Sequence, residues 1–196
     1  VLAAQVGRND LAVELISKAL RKAPDTAACY SNLGEACRSL GQLDKAVTNF
    51  RRALAIKLDY PEAHNNLGNA LKGQGLLDEA IASYQRALAL RPDYADAHNN
   101  LGNARKDQGL IDDAIASYRQ ALLCKPDFFE AHSNLLFTLQ YSPHQDSAHI
   151  LQEARRWNAR HAVPLKGLNG PHSNVQEPRR RLRIGYVSPD FRGHCQ

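Results

Sequence analysis

The sequence predicts an all-α fold: a solenoid of stacked helix hairpins, closed by a C-terminal capping helix and followed by an extended tail. Three observations carry this expectation. The segment PEAHNNLGNALKGQGLLDEAIASYQRALALRPDY at 61–94 aligns without a gap on ADAHNNLGNARKDQGLIDDAIASYRQALLCKPDF at 95–128, and residues 27–60 align on both, giving a fixed period of 34. Apolar and small residues within each unit recur at helical spacing. Glycine and proline punctuate the units at matching places, with Gly75 between the two halves and Pro92 near the end. A period of this length marks a repeat array, in which no unit buries its apolar face alone.

Residues 1–26 read as the latter part of a unit. Gly7, Ala12, Ile16, Ala19 and Pro24 fall on the repeat landmarks, while the first helix begins only at its ninth position. The chain also contains no methionine, so it is expected to be a processed product or a piece of a longer protein. Residues 27–60, 61–94 and 95–128 each predict one hairpin. In the unit 61–94, Leu67, Ala70 and Leu71 mark one face of a first helix, and Ala80, Ile81, Tyr84, Ala87 and Leu88 mark one face of a second, which Asp78 is expected to cap. Small residues recur where two helices must approach closely, at Gly34, Gly68 and Gly102 and at Ala46, Ala80 and Ala114. Phe50, Tyr84 and Tyr118 fill the space beside them.

Residues 129–163 open a fifth unit and then leave the pattern: Leu136 replaces the glycine, and SPHQD interrupts the expected second helix. An amphipathic helix over 147–162, with Ile150, Ala154, Trp157 and His161 on one stripe and Asp146 as cap, is expected to close the array. Residues 164–181 are rich in turn formers and read as a linker. Leu182, Ile184, Tyr186 and Val187 form a short run typical of a buried strand, ended by Ser188, Pro189 and Asp190. Because one strand cannot form a sheet, 182–196 reads as the start of a further domain.

Composition narrows the class. With 43% hydrophobic residues the chain can bury a core. No apolar run is long enough to span a membrane, and no secretory signal pattern opens the chain, so a cytoplasmic protein without membrane partners is expected. The four cysteines, Cys29, Cys37, Cys124 and Cys195, match neither a redox CxxC nor a zinc knuckle and are expected as buried free thiols. The formal charge of +5 is concentrated in Arg179, Arg180, Arg181 and Arg183, a local patch beside a strand. That pattern reads as a solvated strand entrance rather than a nucleic-acid site.

The stretch AHNNLGNA occurs at 63–70 and again at 97–104, placing three asparagines in each copy of a helix. Each costs roughly half a kcal/mol relative to Ala. Asn32, Asn66, Asn100 and Asn134 share one repeat position, and the residues four earlier on the same face are Ala28, Glu62, Asp96 and Glu130. The Leu-Gly pair that follows already defines the packing face, so this second face must look elsewhere. A primary amide carries both donor and acceptor, the requirement for a two-point contact with a peptide backbone. A row of such amides could grip an extended peptide at intervals, and the acidic row would favour basic or hydroxyl-bearing side chains. The alternative role is to tie neighbouring helices together. The histidines His64, His98 and His132 recur at the same period, but equivalent helices about 8 to 10 Å apart cannot bring three ligands within ~2.1 Å of one zinc. Packing is their expected role, and no metal site is expected.

The pattern of Leu-Gly, Ala, aromatic, Ala and Pro resembles the tetratricopeptide repeat (TPR), which implies a right-handed superhelix. Departures are His64, His98 and His132 at the usual aromatic position and Leu58 at the usual proline. The tail RLRIGYVSPDFRGH resembles the opening of the catalytic region of O-GlcNAc transferase and its bacterial and SPINDLY-like relatives, and SNLLFTLQY with EARRWNARHAVPL is similar to the bacterial members. The resemblance implies a parent glycosyltransferase that transfers GlcNAc from UDP-GlcNAc to Ser or Thr. It implies an acceptor peptide held by Asn32, Asn66, Asn100 and Asn134 with Glu62, Asp96 and Glu130 alongside. It further implies an active-site role for His194, with Cys195 standing where the family has proline. The nucleotide-sugar pocket would lie downstream, so no cofactor is expected within these 196 residues and the chain by itself is expected to be inactive. Acceptor proteins are the expected partners. A free-standing TPR adaptor is the alternative, and a homo-oligomer is left open.

Overall fold

The computed structural model describes residues 9–168, and among them every regular element is helical. The chain divides after Pro164, and all the α-helices lie in the first unit. They are α1 (Asn9–Leu20), α2 (Ala27–Ser39), α3 (Leu43–Ile56), α4 (Pro61–Gly73), α5 (Leu77–Leu90), α6 (Ala95–Asp107), α7 (Ile111–Cys124), α8 (Phe129–Leu139) and α9 (Ser147–Trp157). A π-helical turn, Asn158–Ala162, and a short 3-10 helix, Val163–Leu168, follow. The expected strand at 182–187, the linker beyond 168, His194 and Cys195 lie outside the described residues.

Each hairpin closes by the same local device. After α4 the chain reaches Gly75 at φ 79°, a left-handed conformation open to glycine because it has no Cβ. The Leu76 N–H then donates to the Leu71 carbonyl at 3.0 Å and the Gly75 N–H to Lys72 at 2.9 Å, the paired bonds of a Schellman motif. Gly41 and Gly109 repeat it at φ 72° and 80°. The expected cap at Asp78 is not formed. Leu76 precedes α5, and Asp78 sits in its first turn, where its Oδ1 accepts from the Gln108 amide of the next unit at 2.6 Å. Gln74 reaches Asp44 in the same way at 2.6 Å, and the Ser142 hydroxyl reaches Asp112 at 2.8 Å. A carboxylate in that first turn is favoured by the helix dipole, and here it also ties one unit to the next.

Tyr84 and Tyr118 are fully buried, as is Phe50, and each ring lies against the glycine of its own hairpin. A Cβ added to Gly68 would fall 2.5 Å from Tyr84 Cε1, and one added to Gly102 would fall 2.5 Å from Tyr118 Cε1. The glycines therefore set the distance between the two helices of a hairpin. At three junctions between units an aromatic ring sits under a cation three residues earlier: Lys57 over Tyr60, Arg91 over Tyr94 and Lys125 over Phe128, at 4.6 to 4.8 Å.

The closing helix follows expectation at its start and departs at its end. The Asp146 carboxylate accepts from the His149 N–H at 2.8 Å as N-cap. Past Trp157, however, the helix widens into the π-turn, which re-aims His161 back toward α8. Among the cysteines, Cys37 is buried and Cys29 half-buried, but Cys124 is exposed near the end of α7, contrary to the expectation of buried thiols throughout.

Candidate functional site: the inner face of the array

The first helices of successive units, α2, α4, α6 and α8, touch one another across the array, so they line its inner face. At about 100° per residue, the second, sixth, ninth and thirteenth residues of a unit fall within roughly 60° of one another on that face. In the unit 95–128 these are Asp96, Asn100, Asn103 and Asp107; in the unit 61–94 they are Glu62, Asn66, Asn69 and Gly73.

The asparagine row is half-buried at Asn66, Asn100 and Asn134 and exposed at Asn32. Asn100 donates Nδ2–H to Asn65 Oδ1 at 3.0 Å, and Asn134 donates to Asn99 Oδ1 at the same distance. Asn65 in turn donates to Asn66 Oδ1 at 3.3 Å. The row thus ties helices together, the alternative role that the sequence left open. Asn65 and Asn99 are themselves buried, at 4% and 8% exposure, so these bonds satisfy amides that water does not reach. Ser31 holds the equivalent place one unit earlier, and among the described residues no bond joins it to Asn66. An amide has two N–H donors and a carbonyl. Among the described residues Asn100 and Asn134 each use one donor, which leaves a second donor and the acceptor toward the inner face.

The asparagines one turn further on have a different task. Asn69 Oδ1 accepts the Tyr84 hydroxyl at 2.8 Å, and Asn103 Oδ1 accepts that of Tyr118 at 2.8 Å. Burial drives the Tyr84 phenol well above its usual value and that of Tyr118 to about 12, so both hydroxyls act as proton donors at neutral pH. The stretch AHNNLGNA therefore uses every asparagine, and the signal for the third is the buried tyrosine 15 residues later.

The acidic row divides. Glu62 pairs with Arg91; burial, the largest single influence, pushes its carboxyl up, but the Arg91 hydrogen bond, a backbone hydrogen bond and the charges of Arg91 and Lys57 together outweigh this and hold it below the usual value. Asp96 and Glu130 are exposed and pair with no cation among the described residues. On the opposite side of the face Lys72 meets Asp107 at 3.0 Å, and Lys106 lies over the Phe137 ring.

The three histidines separate as well. His64 and His98 hydrogen-bond the Leu58 and Pro92 carbonyls at 3.1 and 2.9 Å, a packing role as expected. His132 is 4% exposed and faces α9 and the π-turn, with Nε2 2.9 Å from Glu153 and Nδ1 3.0 Å from His161 Nε2. Burial lowers its pKa below the usual histidine value against the pull of Glu153. Trp157 donates to Ser133 at 3.0 Å beside it, and Phe129 packs at a tilt against Trp157 and edge-to-face against His161. A cleft of about 600 Å³ opens next to this cluster, lined by Leu122, Pro126, Arg156 and Arg160 among others. Among the described residues no His, Cys, Asp and Glu group could hold a metal. No helix there is long and apolar enough to cross a membrane.

Hairpins of this kind, stacked at a fixed period around a shared inner face, define a helical repeat scaffold. Its repeats are tetratricopeptide repeats: models of the TPR repeat match residues 34–75 and 73–109, and a tetratricopeptide repeat model matches 95–128. Among solved structures, the chain is similar to MamA, at 25% identity and TM-score 0.68, over 81% of this chain and 89% of that one. It is also similar to a thermophilic TPR protein of Thermus thermophilus, at 24% identity and TM-score 0.66 over 84% and 89% of the two chains. A third is YrrB, described as a TPR protein with an unusual peptide-binding site, at 21% identity and TM-score 0.65 over 85% and 87%. No curated protein matches the chain in sequence.

Proposed function

We propose that this chain is a peptide-binding TPR module whose inner face holds an extended segment of a partner protein. The observation that carries the reading is the amide row at Asn100 and Asn134, where each side chain is fixed by a bond to the preceding unit and still presents a donor and an acceptor inward. Amides held in place lose little further rotamer freedom when a peptide backbone docks on them. Asn32 and Asn66 extend the row, and Asp96 and Glu130 add negative charge beside it, with Glu62 already matched by Arg91.

The finer reading places this module in an O-GlcNAc transferase-like enzyme, with UDP-GlcNAc as donor and acceptor Ser or Thr hydroxyls delivered along the groove. The tail RLRIGYVSPDFRGH supports it, with His194 in the active-site position. A free-standing adaptor is supported by a different observation: the MamA and YrrB structures, both similar to this chain, align over 92% and 87% of their own length.

Screening an immobilised array of extended peptides against the chain and its Asn66→Ala, Asn100→Ala double variant tests the groove reading. Peptides retained by the parent should be lost by the folded variant; equal retention would refute it. Incubating the retained Ser- or Thr-containing peptides with UDP-GlcNAc and the full-length protein that carries this segment separates the two finer readings. Transfer supports the enzyme, and binding without transfer supports the adaptor.

A further inference from the structure

We propose that Phe137 and Tyr141 form an apolar subsite at the last unit of the inner face, taking an aliphatic side chain of an extended peptide whose neighbouring basic residue reaches Glu130 and Asp96. The proposal rests on the peptide-binding reading of the groove and specifies the chemistry of its occupant.

The repeat itself shows why these residues stand out. Phe137 occupies the ninth position of its unit, where Asn69 and Asn103 stand in the two preceding units, and Tyr141 occupies the thirteenth, where Gly73 and Asp107 stand. In those units the ninth position must accept a buried tyrosine hydroxyl from the second helix. The last unit lacks that tyrosine, because the chain turns away after α8 and its next helix begins only at Ser147. The position is released from hydrogen bonding, yet it carries a phenylalanine that remains 50% exposed, next to a tyrosine 59% exposed. Neither ring is needed for the core.

Their geometry makes a patch. The two rings pack directly on each other, with centroids 5.1 Å apart and planes at 59°, so their outward faces form one exposed apolar surface against which an aliphatic side chain can lie. Lys106 Nζ stands 5.7 Å from the Phe137 centroid, which puts a positive charge at the edge of the aromatic patch and disfavours a basic side chain there. On the other side of Asn134 the sign reverses, since Glu130 and Asp96 are exposed and unpaired with any cation among the described residues.

Helical rise sets the spacing. Phe137 is three residues beyond Asn134 and Glu130 four residues before it, so they lie roughly 4.5 and 6 Å away along the helix axis on opposite sides of the amide. Successive side chains of an extended peptide point to opposite sides. A backbone held at Asn134 therefore sends one residue toward the aromatic patch and its neighbour toward the carboxylates, and a basic–aliphatic pair matches both.

The test uses the fluorescein-labelled peptide STSTKVTSTS and two substituted forms, one with the valine and one with the lysine replaced by serine, titrated by anisotropy. On the parent, each replacement should weaken binding by about tenfold. On a Phe137→Ser, Tyr141→Ser variant the valine replacement should have no further effect while the lysine replacement keeps its own. An Asp96→Asn, Glu130→Gln variant should give the reverse pattern. Equal binding of all three peptides to the parent would overturn the proposal, as would failure of the parent to bind any of them at about 1 mM. If the aromatic variant retains the valine preference while the Asn66→Ala, Asn100→Ala variant loses binding, the subsite is refuted and the groove reading stands. If no variant alters binding, both fall.

Discussion

Asn100 donates a hydrogen bond to Asn65 in the preceding unit, 3.0 Å away, and Asn65 is 4% exposed. The bond joins the inner face to the core of the neighbouring unit, so a residue of that face helps fix the stacking of the array.

Removing that donor should be measurable as lost stability. Asn100→Ala leaves the buried Asn65 carbonyl unpaired, which costs about 1 to 3 kcal/mol, offset by roughly half a kcal/mol of better helix propensity. Asn32→Ala, at an exposed position of the same row, should be neutral or slightly stabilising. Urea denaturation followed by circular dichroism distinguishes them. Equal effects of the two substitutions would mean that the inter-unit bond contributes nothing.

The hairpin glycines should be intolerant of a single methyl group. Gly68→Ala drives a Cβ to 2.5 Å from a fully buried Tyr84 ring, and relief requires moving the ring or the helix, with an expected destabilisation of about 1 to 3 kcal/mol. Pairing Gly68→Ala with Tyr84→Leu should recover part of the loss caused by the clash. Simple additivity of the two would show that the contact is not what limits the site.

Acid should loosen the closing helix before the rest of the array. Glu153 accepts from His132 Nε2–H, which leaves Nδ1 as the acceptor for His161 Nε2–H; protonating His132 sets two N–H groups face to face. Glu153 and Arg156 from α9 and His161 and Arg160 from the π-turn are the titratable and charged groups around it. The His132 pKa is lowered in the folded state, so the stability it confers is fully present above the ordinary histidine value near 6.5 and declines as pH falls through the lowered value. Trp157, the sole tryptophan, bonds Ser133 within this contact and reports on it directly. Its emission should shift to the red below about pH 6.5 while far-ultraviolet circular dichroism stays constant. A His132→Gln variant should abolish the pH dependence, and its persistence would place the sensor elsewhere.

Much of the array is readable from residues because the 34-residue period repeats the same packing problem three times. Gly68, Ala80 and Tyr84 can be recognised as one close contact from their recurrence alone. The misassignment of Asp78 has a physical cause: an acid near a helix start looks like a cap, whereas its partner, Gln108, lies 30 residues away in the next unit. Periodicity shows which positions are equivalent but not which neighbour each one meets. The same limit applies to the asparagines. Sequence places Asn100 and Asn134 on the second face, and only the folded array shows that Asn65 and Asn99 receive their hydrogen bonds. Phe137 and Tyr141 are hard to find in the sequence because they stand where the pattern fails. Their signal is the departure from Asn69 and Asn103 at the equivalent position, which acquires meaning once Tyr84 and Tyr118 are seen to need those amides.

The central claim is that the amides of Asn100 and Asn134 are anchored by one hydrogen and present the other to a peptide. Side-chain amide NMR of the 15N-labelled chain, titrated with STSTKVTSTS, measures both hydrogens separately. The account predicts that one resonance of each pair stays in place, since it is bonded to Asn65 or Asn99, while its geminal partner shifts in proportion to peptide bound. Saturable peptide binding that leaves both hydrogens of both side chains unmoved would contradict it.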